Sequence, residues 1–239
     1  MNTFAYGIFL QWKLDIRNKG MILTYYLVPL VFFGFMGGIF ASINPLAKDT
    51  LIQTMTVFAV SMGAFLGAPI PLVELLRSDI KKAYKVGGIP LGVAMLNNLI
   101  SGFIHLFIVS LIIFFLAPIL FKATIPDNLL LYFTSLAMFI FTCLLLGSIL
   151  GLFVKSTSKL AMVSQVLFLP SIMLSGIMFP SNMLPKAFEY LGKALPATWG
   201  YINMSIDSFS KLTLTPFVLI TIGAIGIITI KIRNLEGIN

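Results

Sequence analysis

Charged and chemically reactive side chains are scarce in this sequence of 239 residues. Aspartate, glutamate, lysine and arginine together make up 10% of it, and there is one histidine and one cysteine. A chain with 59% hydrophobic residues and a mean hydropathy of +1.02 has too little polar surface to cover a water-soluble domain. The composition therefore predicts an integral membrane protein, and the single Cys143 excludes an intramolecular disulfide.

Catalytic and nucleotide-binding patterns are also missing. His105 is the sole histidine, no serine lies in a Gly-x-Ser-x-Gly sequence, and the long apolar stretches contain no aspartate or glutamate. An intramembrane enzyme needs a nucleophile with a base, a carboxylate pair or a metal cluster. No Gly-x-x-x-x-Gly-Lys-Ser/Thr loop is present to cradle phosphates. We therefore predict no enzyme activity, metal or cofactor on this chain, and any ATP hydrolysis would need a separate protein.

Six long stretches without a charged residue follow one another along the chain. About 20 apolar residues are enough to cross the hydrocarbon core as a helix, so each stretch predicts one transmembrane span. Pro90 and Pro118 bracket the longest stretch, which we interpret as a single span with helical extensions. We predict an all-α integral membrane protein with one domain over residues 1–239 and spans at about 21–41, 51–73, 91–117, 129–154, 160–180 and 212–230.

Lysine and arginine are distributed unevenly over the segments between these spans. Placing the N-terminus in the cytoplasm gives the inner segments 11 of the 16 basic residues. Positive residues concentrate on the cytoplasmic side of membrane proteins, so both termini are predicted to be cytoplasmic. The net charge of +8 then follows from topology. Because no basic stripe is interleaved with aromatic residues, we expect no nucleic-acid partner.

The first 19 residues precede the first span and have helical periodicity. Lys13 and Arg17 lie to one side of apolar residues that recur at four-residue spacing, namely Phe4, Ile8, Trp12 and Ile16. This pattern predicts an amphipathic helix at the cytoplasmic interface, although Asp15 interrupts its apolar face. The first 12 residues lack a basic leader and a cleavage site, so we expect no secretory signal.

Segment 74–89 connects spans 2 and 3 on the inner side. Its sequence ELLRSDIKKAYKVGGI carries both signs of charge at three- and four-residue spacing, which favours a short helix on the membrane surface. We interpret it as a docking loop for an energy-supplying partner. The alternative is a solvated basic loop that only follows the positive-inside rule. The candidate contact residues are Glu74, Arg77, Asp79, Lys81, Lys82 and Lys85.

The connection between spans 5 and 6 turns amphipathic and then apolar again. In "SGIMFPSNMLPKAFEYLGKALPATW", Pro180 is predicted to end the fifth helix and Pro185 to stand in the first turn of a new one. Apolar residues form one stripe over 183–195, opposite two lysines and a glutamate, so this helix is predicted to lie in the membrane plane. The charge-free stretch 194–206 is too short to cross and is predicted to re-enter the membrane.

This connection, with the six spans, the N-terminal helix and segment 74–89, resembles the membrane subunit of a type-2 ABC exporter. In that family a Ser-Gly-x-x-Phe-Pro-x-x-x-Leu-Pro run ends the fifth span, and a second Leu-Pro follows it. The matching positions here are Ser175, Gly176, Phe179, Pro180, Leu184, Pro185, Leu195 and Pro196. The resemblance covers essentially the whole chain. It implies re-entrant external helices over 181–206 that roof the exit of a translocation pathway.

The resemblance implies a permease subunit of an ATP-driven exporter in the plasma membrane of a bacterium, in contact with membrane lipid. It also implies pairing with itself or a sister permease, and two copies of a separate ATPase that bind ATP and magnesium. The uncharged spans favour a hydrophobic or amphipathic cargo, such as a drug, an antimicrobial peptide or a lipid-linked molecule. The expected gate residues are Ser175, Gly176, Phe179, Pro180, Pro185, Phe188 and Pro196. An amphipathic loop without a gating role is the alternative.

Polar side chains inside the spans are candidates for contact with cargo. In the family, spans 2 and 5 flank the pathway, which implies Gln53, Thr54, Gln165 and Ser175. Span 3 adds three polar residues that share one helical face, namely Asn97, Ser101 and His105. We favour hydrogen bonds between helices as the explanation for these three. Two other functions are left open: a membrane sensor or binding protein that transports nothing, and an enzyme built around His105, for which the sequence shows no set of catalytic partner residues.

Overall fold

The structure, a computed structural model, describes residues 3–43, 45–77, 84, 86–179, 183–206, 208 and 210–237. Within these ranges the chain folds into helices and contains no β-strand. Six helices are long and apolar enough to cross a membrane. The predicted all-α fold with six spans is therefore confirmed.

The helices follow one another with short connections. The N-terminal helix, Thr3–Arg17, is followed by Asn18, whose side chain caps the start of span 1. Spans 1 and 2 each contain a π-helical turn, and their parts are Lys19–Ile22, Leu23–Leu27 and Val28–Ile43, then Leu51–Met62, Gly63–Gly67 and Pro69–Arg77. Spans 3 to 6 are Leu91–Phe121, Leu129–Phe153, Thr157–Leu174 and Lys211–Gly237. Between spans 5 and 6 lie connecting helix 1, Lys186–Lys193, and connecting helix 2, Pro196–Ser205.

Span 2 lies at the centre of the bundle, and nearly all of Leu51–Met62 is buried. Span 4 approaches it closely, because a side chain on Gly147 or Gly151 would meet the carbonyl oxygen of Ala64 or Pro69. Small residues at such spacing allow two transmembrane backbones to touch. Spans 5 and 6 pack on the periphery and keep long exposed apolar faces. We call the end that carries the N-terminal helix the inner end and the opposite end the outer end.

The fifth helix ends earlier than predicted. It stops at Leu174, Ser175 forms its C-cap, and Gly176 follows with a φ of +91°. A glycine in the left-handed region directly after the last turn ends a helix, because its missing Cβ removes the steric penalty of that conformation. Gly176 thus terminates the helix, and the predicted end at Pro180 is wrong. Pro180 itself lies outside the described residues.

Candidate translocation and coupling sites

Connecting helix 1 lies across the outer end of span 5. Its Gly192 packs directly on the carbonyl oxygen of Leu174, the last residue of the span. On its exposed face the ammonium of Lys193 donates a hydrogen bond of 2.6 Å to Glu189. This bond raises the pKa of Lys193 above its ordinary value. The helix therefore has one polar side toward the surroundings and one apolar side toward the bundle.

An apolar cavity of about 690 Å³ opens between this helix and span 5. Leu169 and Met173 line it from the span, and Phe179, Phe188 and Leu191 line it from the connection. Phe179 and Phe188 are each about half exposed, so the aromatic side chains only partly fill the space. The arrangement forms an open apolar recess that could accept a nonpolar group.

The structure brings three of the seven predicted gate residues to this recess. Phe179, Pro185 and Phe188 line it, and Pro185 also stands just before the first turn of connecting helix 1. Ser175 and Gly176 form the turn that ends span 5, at the edge of the recess. The last two positions differ: Pro196 is buried as the first residue of connecting helix 2, and Pro180 is outside the described residues.

Connecting helix 2 inserts between the outer ends of spans 4 and 6. The amide of Asn203 is buried, and its oxygen accepts a hydrogen bond of 2.7 Å from the Thr213 hydroxyl of span 6. Ser135 of span 4 donates to the backbone carbonyl of Asn203. Gly200 packs on the ring of Phe139, which lies ten residues into span 4. At 1.5 Å per residue this contact is about 15 Å along the span.

The predicted pathway residues of spans 2 and 5 lie in different surroundings. Gln165 is exposed, on the same face of span 5 as the exposed Met162 and Val166. Gln53 and Thr54 are buried in the centre of the bundle. Gln53 lines a separate polar cavity at the outer end, and its amide oxygen has no hydrogen-bond partner among the described residues. Of these three described residues, Gln165 alone lies on an exposed surface.

Asn97, Ser101 and His105 of span 3 all face the N-terminal helix. Asn97 lies against Gly7, where an added side chain would collide with its amide. The Ser101 hydroxyl donates a hydrogen bond of 2.6 Å to the Asp15 carboxylate, and Gln11 donates one of 2.8 Å to the other oxygen. All three residues of span 3 are buried. They therefore join the N-terminal helix to span 3 and do not open onto an exposed surface.

His105 stands in an aromatic and acidic environment. Its Nδ1 shares a hydrogen bond of 2.7 Å with the Tyr26 hydroxyl, and its Nε2 lies 3.9 Å from a carboxylate oxygen of Asp15. Tyr25 stacks on the imidazole with ring centroids 5.1 Å apart, and Trp12 stacks on it at 6.1 Å. The π-helical turn of span 1 presents both tyrosines to this one ring. The hydrogen bond of His105 therefore joins span 3 to span 1.

A polar cavity of about 320 Å³ lies at the inner end, beside this network. Asp15 and Gln11 of the N-terminal helix, Glu74 of span 2, Tyr84 and Asn98 line it. Burial raises the pKa of the Asp15 carboxyl, and the hydrogen bonds from Ser101 and Gln11 counteract part of that rise. The cavity thus places the predicted docking segment next to the N-terminal helix.

Two of the six predicted docking residues lie in the described part of the chain. Glu74 is exposed near the end of span 2, and Arg77 is the last residue of that helix. The others lie outside the described residues and are Asp79, Lys81, Lys82 and Lys85. Among the described residues, no group of three or more histidine, cysteine, aspartate or glutamate side chains could hold a metal ion.

Sequence reasoning did not connect Asp15 or Tyr26 to span 3, although both bond to it in the buried network. The one available signal was Asp15 itself, a charge on the apolar side of an amphipathic helix. Such a charge is unfavourable unless a neighbouring group hydrogen-bonds to it or pairs with it, because burying an unpaired carboxylate costs a free energy of several kcal/mol. Tyr26 gave no comparable signal.

The sequence is similar to known transporter proteins. Residues 8–207 match the family model described as ABC-2 type transporter. The ABC transporter G family member 8 of Dictyostelium discoideum is 26% identical over 229 residues. That alignment covers 89% of this chain and 35% of the relative, so the chain spans about a third of the relative's length.

Proposed function

Because this chain belongs to the ABC-2 type transporter family, we propose that it is the permease subunit of an ATP-driven exporter. It is a multi-pass transmembrane part and is not itself the ATPase. Its partner is an ATPase subunit present in two copies, which binds ATP and magnesium. The lysine and arginine distribution supports a cytoplasmic location for both termini. The same family resemblance supports the plasma membrane of a bacterium.

The observation that carries this proposal is the continuous apolar surface of span 5 and connecting helix 1. Met162, Val166 and Leu169 are exposed along the span, and the surface continues into the recess at Phe188. Exposed apolar faces of spans usually contact lipid, and this face differs because it carries the polar Gln165 and continues into the recess. We assign this face to the space between two permease halves, either two copies of this chain or this chain and a sister permease. A hydrophobic or amphipathic cargo fits such walls, with Gln165 as a polar contact.

The two ends of the bundle then have separate tasks in transport. At the inner end, segment 74–89 receives the motion of the ATPase and transmits it to spans 2 and 3. At the outer end, connecting helices 1 and 2 form the re-entrant roof, and the recess is the mouth of the pathway. The depth of the Gly200 contact with Phe139 supports a connecting helix 2 that dips into the membrane.

The test separates these tasks with variants at opposite ends. Phe188→Asp puts a charge on the apolar wall of the recess, and we expect export to fall about tenfold or more while the ATPase complex still forms. Lys81→Glu should weaken the complex itself. Export of a fluorescent lipophilic dye and of a fluorescent phospholipid is measured in reconstituted vesicles with the cognate ATPase, and complex formation is measured by co-purification.

Tyr190→Asp is the matched control, because Tyr190 lies on the same helix, is exposed and does not line the recess. It should keep wild-type export. Equal export by the Phe188 and Tyr190 variants would refute the gate, and a complex unaffected by Lys81→Glu would move the docking surface elsewhere. Absence of ATP-dependent movement of either probe by the wild-type complex would contradict the proposed cargo class.

A further inference from the structure

The Asp15 carboxyl group is buried, and among the described side chains its hydrogen-bond donors are neutral. It is 3% exposed, and its two oxygens accept hydrogen bonds from the neutral donors Gln11 and Ser101. Among the residues whose side chains the structure describes, no lysine or arginine forms an ion pair with it. A buried carboxylate in this situation is unstable relative to its neutral form, since desolvation disfavours the charge.

His105 offers the group that a protonated Asp15 would need. The histidine is 1% exposed, and its Nε2 has no hydrogen-bond partner in the described part of the chain although it lies 3.9 Å from Asp15 Oδ2. When Nδ1–H donates to the Tyr26 oxygen, Nε2 keeps a lone pair directed toward the carboxyl group. A small approach of the two side chains would let the Asp15 hydroxyl donate to Nε2.

The depth and access of the pair fit a site that takes up a proton from one side. His105 lies 14 residues into span 3, or about 21 Å along a helix of 31 residues. The inner cavity reaches Asp15 from its other side. The titratable groups that face the pair are Tyr25 and Tyr26 of span 1, and Glu74 and Tyr84 across the cavity.

We propose that Asp15 and His105 form a proton-binding site, reached from the inner cavity, which fastens the N-terminal helix to span 3. The ligand is a single proton. It resides on Asp15 Oδ2, with His105 Nε2 as its acceptor, so both side chains are neutral in the docked helix. Ionisable residues inside membrane proteins usually serve a function of this kind. The site goes beyond export and can be tested without an ATPase.

Thermodynamic linkage determines how the docking of the N-terminal helix depends on pH: proton binding favours the docked helix. Burial raises the pKa of Asp15 when the helix is docked, whereas an undocked, solvated Asp15 has a pKa of about 4. Docking therefore takes up a proton between these two values. The contribution of Asp15 to docking is full below pH 4 and is lost as the pH rises through the raised value.

Two spectroscopic signals test the site in the purified protein in lipid nanodiscs. Infrared difference spectra report the protonated carboxyl group between pH 5 and pH 9. Trp12 stacks on His105, and in a Trp199→Phe background it is the sole tryptophan, so its emission reports docking. We expect both signals to change with one shared midpoint that lies above the ordinary aspartate value.

Three variants complete the experiment. Asp15→Asn should abolish the carboxyl band and the emission change, whereas Asp127→Asn, at an exposed aspartate of the outer end, should keep both. Ser101→Ala should raise the midpoint by about one pH unit, because it removes a bond that favours the charged form. If Asp15→Asn does not fold, the wild-type titration and the Ser101 variant still decide. A band that persists in Asp15→Asn, a midpoint near 4, or an emission midpoint that does not follow the band would overturn the proposal.

Discussion

Two amphipathic helices dock on the ends of spans by different means. The N-terminal helix contacts span 3 through buried polar groups, with Asp15 held by Ser101 and facing His105. Connecting helix 1 contacts span 5 through apolar side chains around a recess of about 690 Å³, and its ion pair points away from the bundle. The first helix has an ionisable carboxyl group on the face toward the bundle, and the second has its charged groups on the opposite face.

The difference determines how far each helix can move. Hydrogen bonds are directional and lose their strength when angle and distance change, so the inner contact favours one position. Apolar burial is non-directional and depends on area, so the part of connecting helix 1 around Phe188 can shift over the recess at small cost, while Gly192 stays in contact with the Leu174 carbonyl. We call the contact of the N-terminal helix with span 3 the inner dock and the contact of connecting helix 1 with span 5 the outer dock. The inner dock is therefore suited to hold a fixed geometry that responds to protonation. The outer dock is suited to open and close the recess.

The largest difference in stability between the two docks is expected from alanine substitutions at the glycines in their contacts, Gly192 and Gly7. In Gly192→Ala the new methyl group meets the backbone carbonyl of Leu174, which cannot move away, so we expect a loss of about 2 kcal/mol of stability. In Gly7→Ala the methyl group meets the end of the Asn97 side chain, which can turn aside. Its cost should stay below about 1 kcal/mol. Thermal unfolding in detergent measures both.

Gly34→Ala is the control for helix propensity, because nothing in the described part of the chain lies within 4 Å of the added group. It should be neutral or slightly stabilising. If Gly7→Ala proved as destabilising as Gly192→Ala, the Asn97 side chain would not turn aside. The contrast between a side-chain contact at Gly7 and a backbone contact at Gly192 would then be lost.

The sequence predicts the parts of this architecture that depend on local composition. Charge-free stretches predict the six spans, because crossing the bilayer requires only length and apolar side chains. The end of span 5 was misplaced, since Gly176 and Pro180 are both legitimate stop signals and only the backbone conformation decides between them. The contact of Asp15 with Ser101 joins positions 86 residues apart. Helical periodicity carries no information about such a pairing.

A smaller effect is expected at the far side of the inner network. Tyr26→Phe removes the hydroxyl that pairs with His105 Nδ1 and leaves a buried nitrogen without its partner. We expect a loss of about 1 kcal/mol of stability, as is usual for one buried hydrogen bond. Chemical denaturation measures the change, with Tyr190→Phe on the exposed surface as the control. Equal stability of the two variants would show that the network stops at His105.

The smallest effect is expected at the exposed ion pair of connecting helix 1. Glu189→Gln removes the charge that pairs with Lys193, yet both side chains are well exposed, at 36% and 47%. Exposed pairs gain little because water and salt screen them and because two long side chains must be ordered. The pKa of Lys193 should fall toward its ordinary value, and the ammonium stays charged at neutral pH, so no measurable change of Tm or of export is expected. The comparison with Asp15→Asn is then between a buried and an exposed carboxylate on helices of the same kind. The contrary outcome is that Glu189→Gln reduces export and that high salt reduces the export of the wild type by the same amount. Polar contacts would then also position connecting helix 1, and the recess alone would no longer explain its mobility.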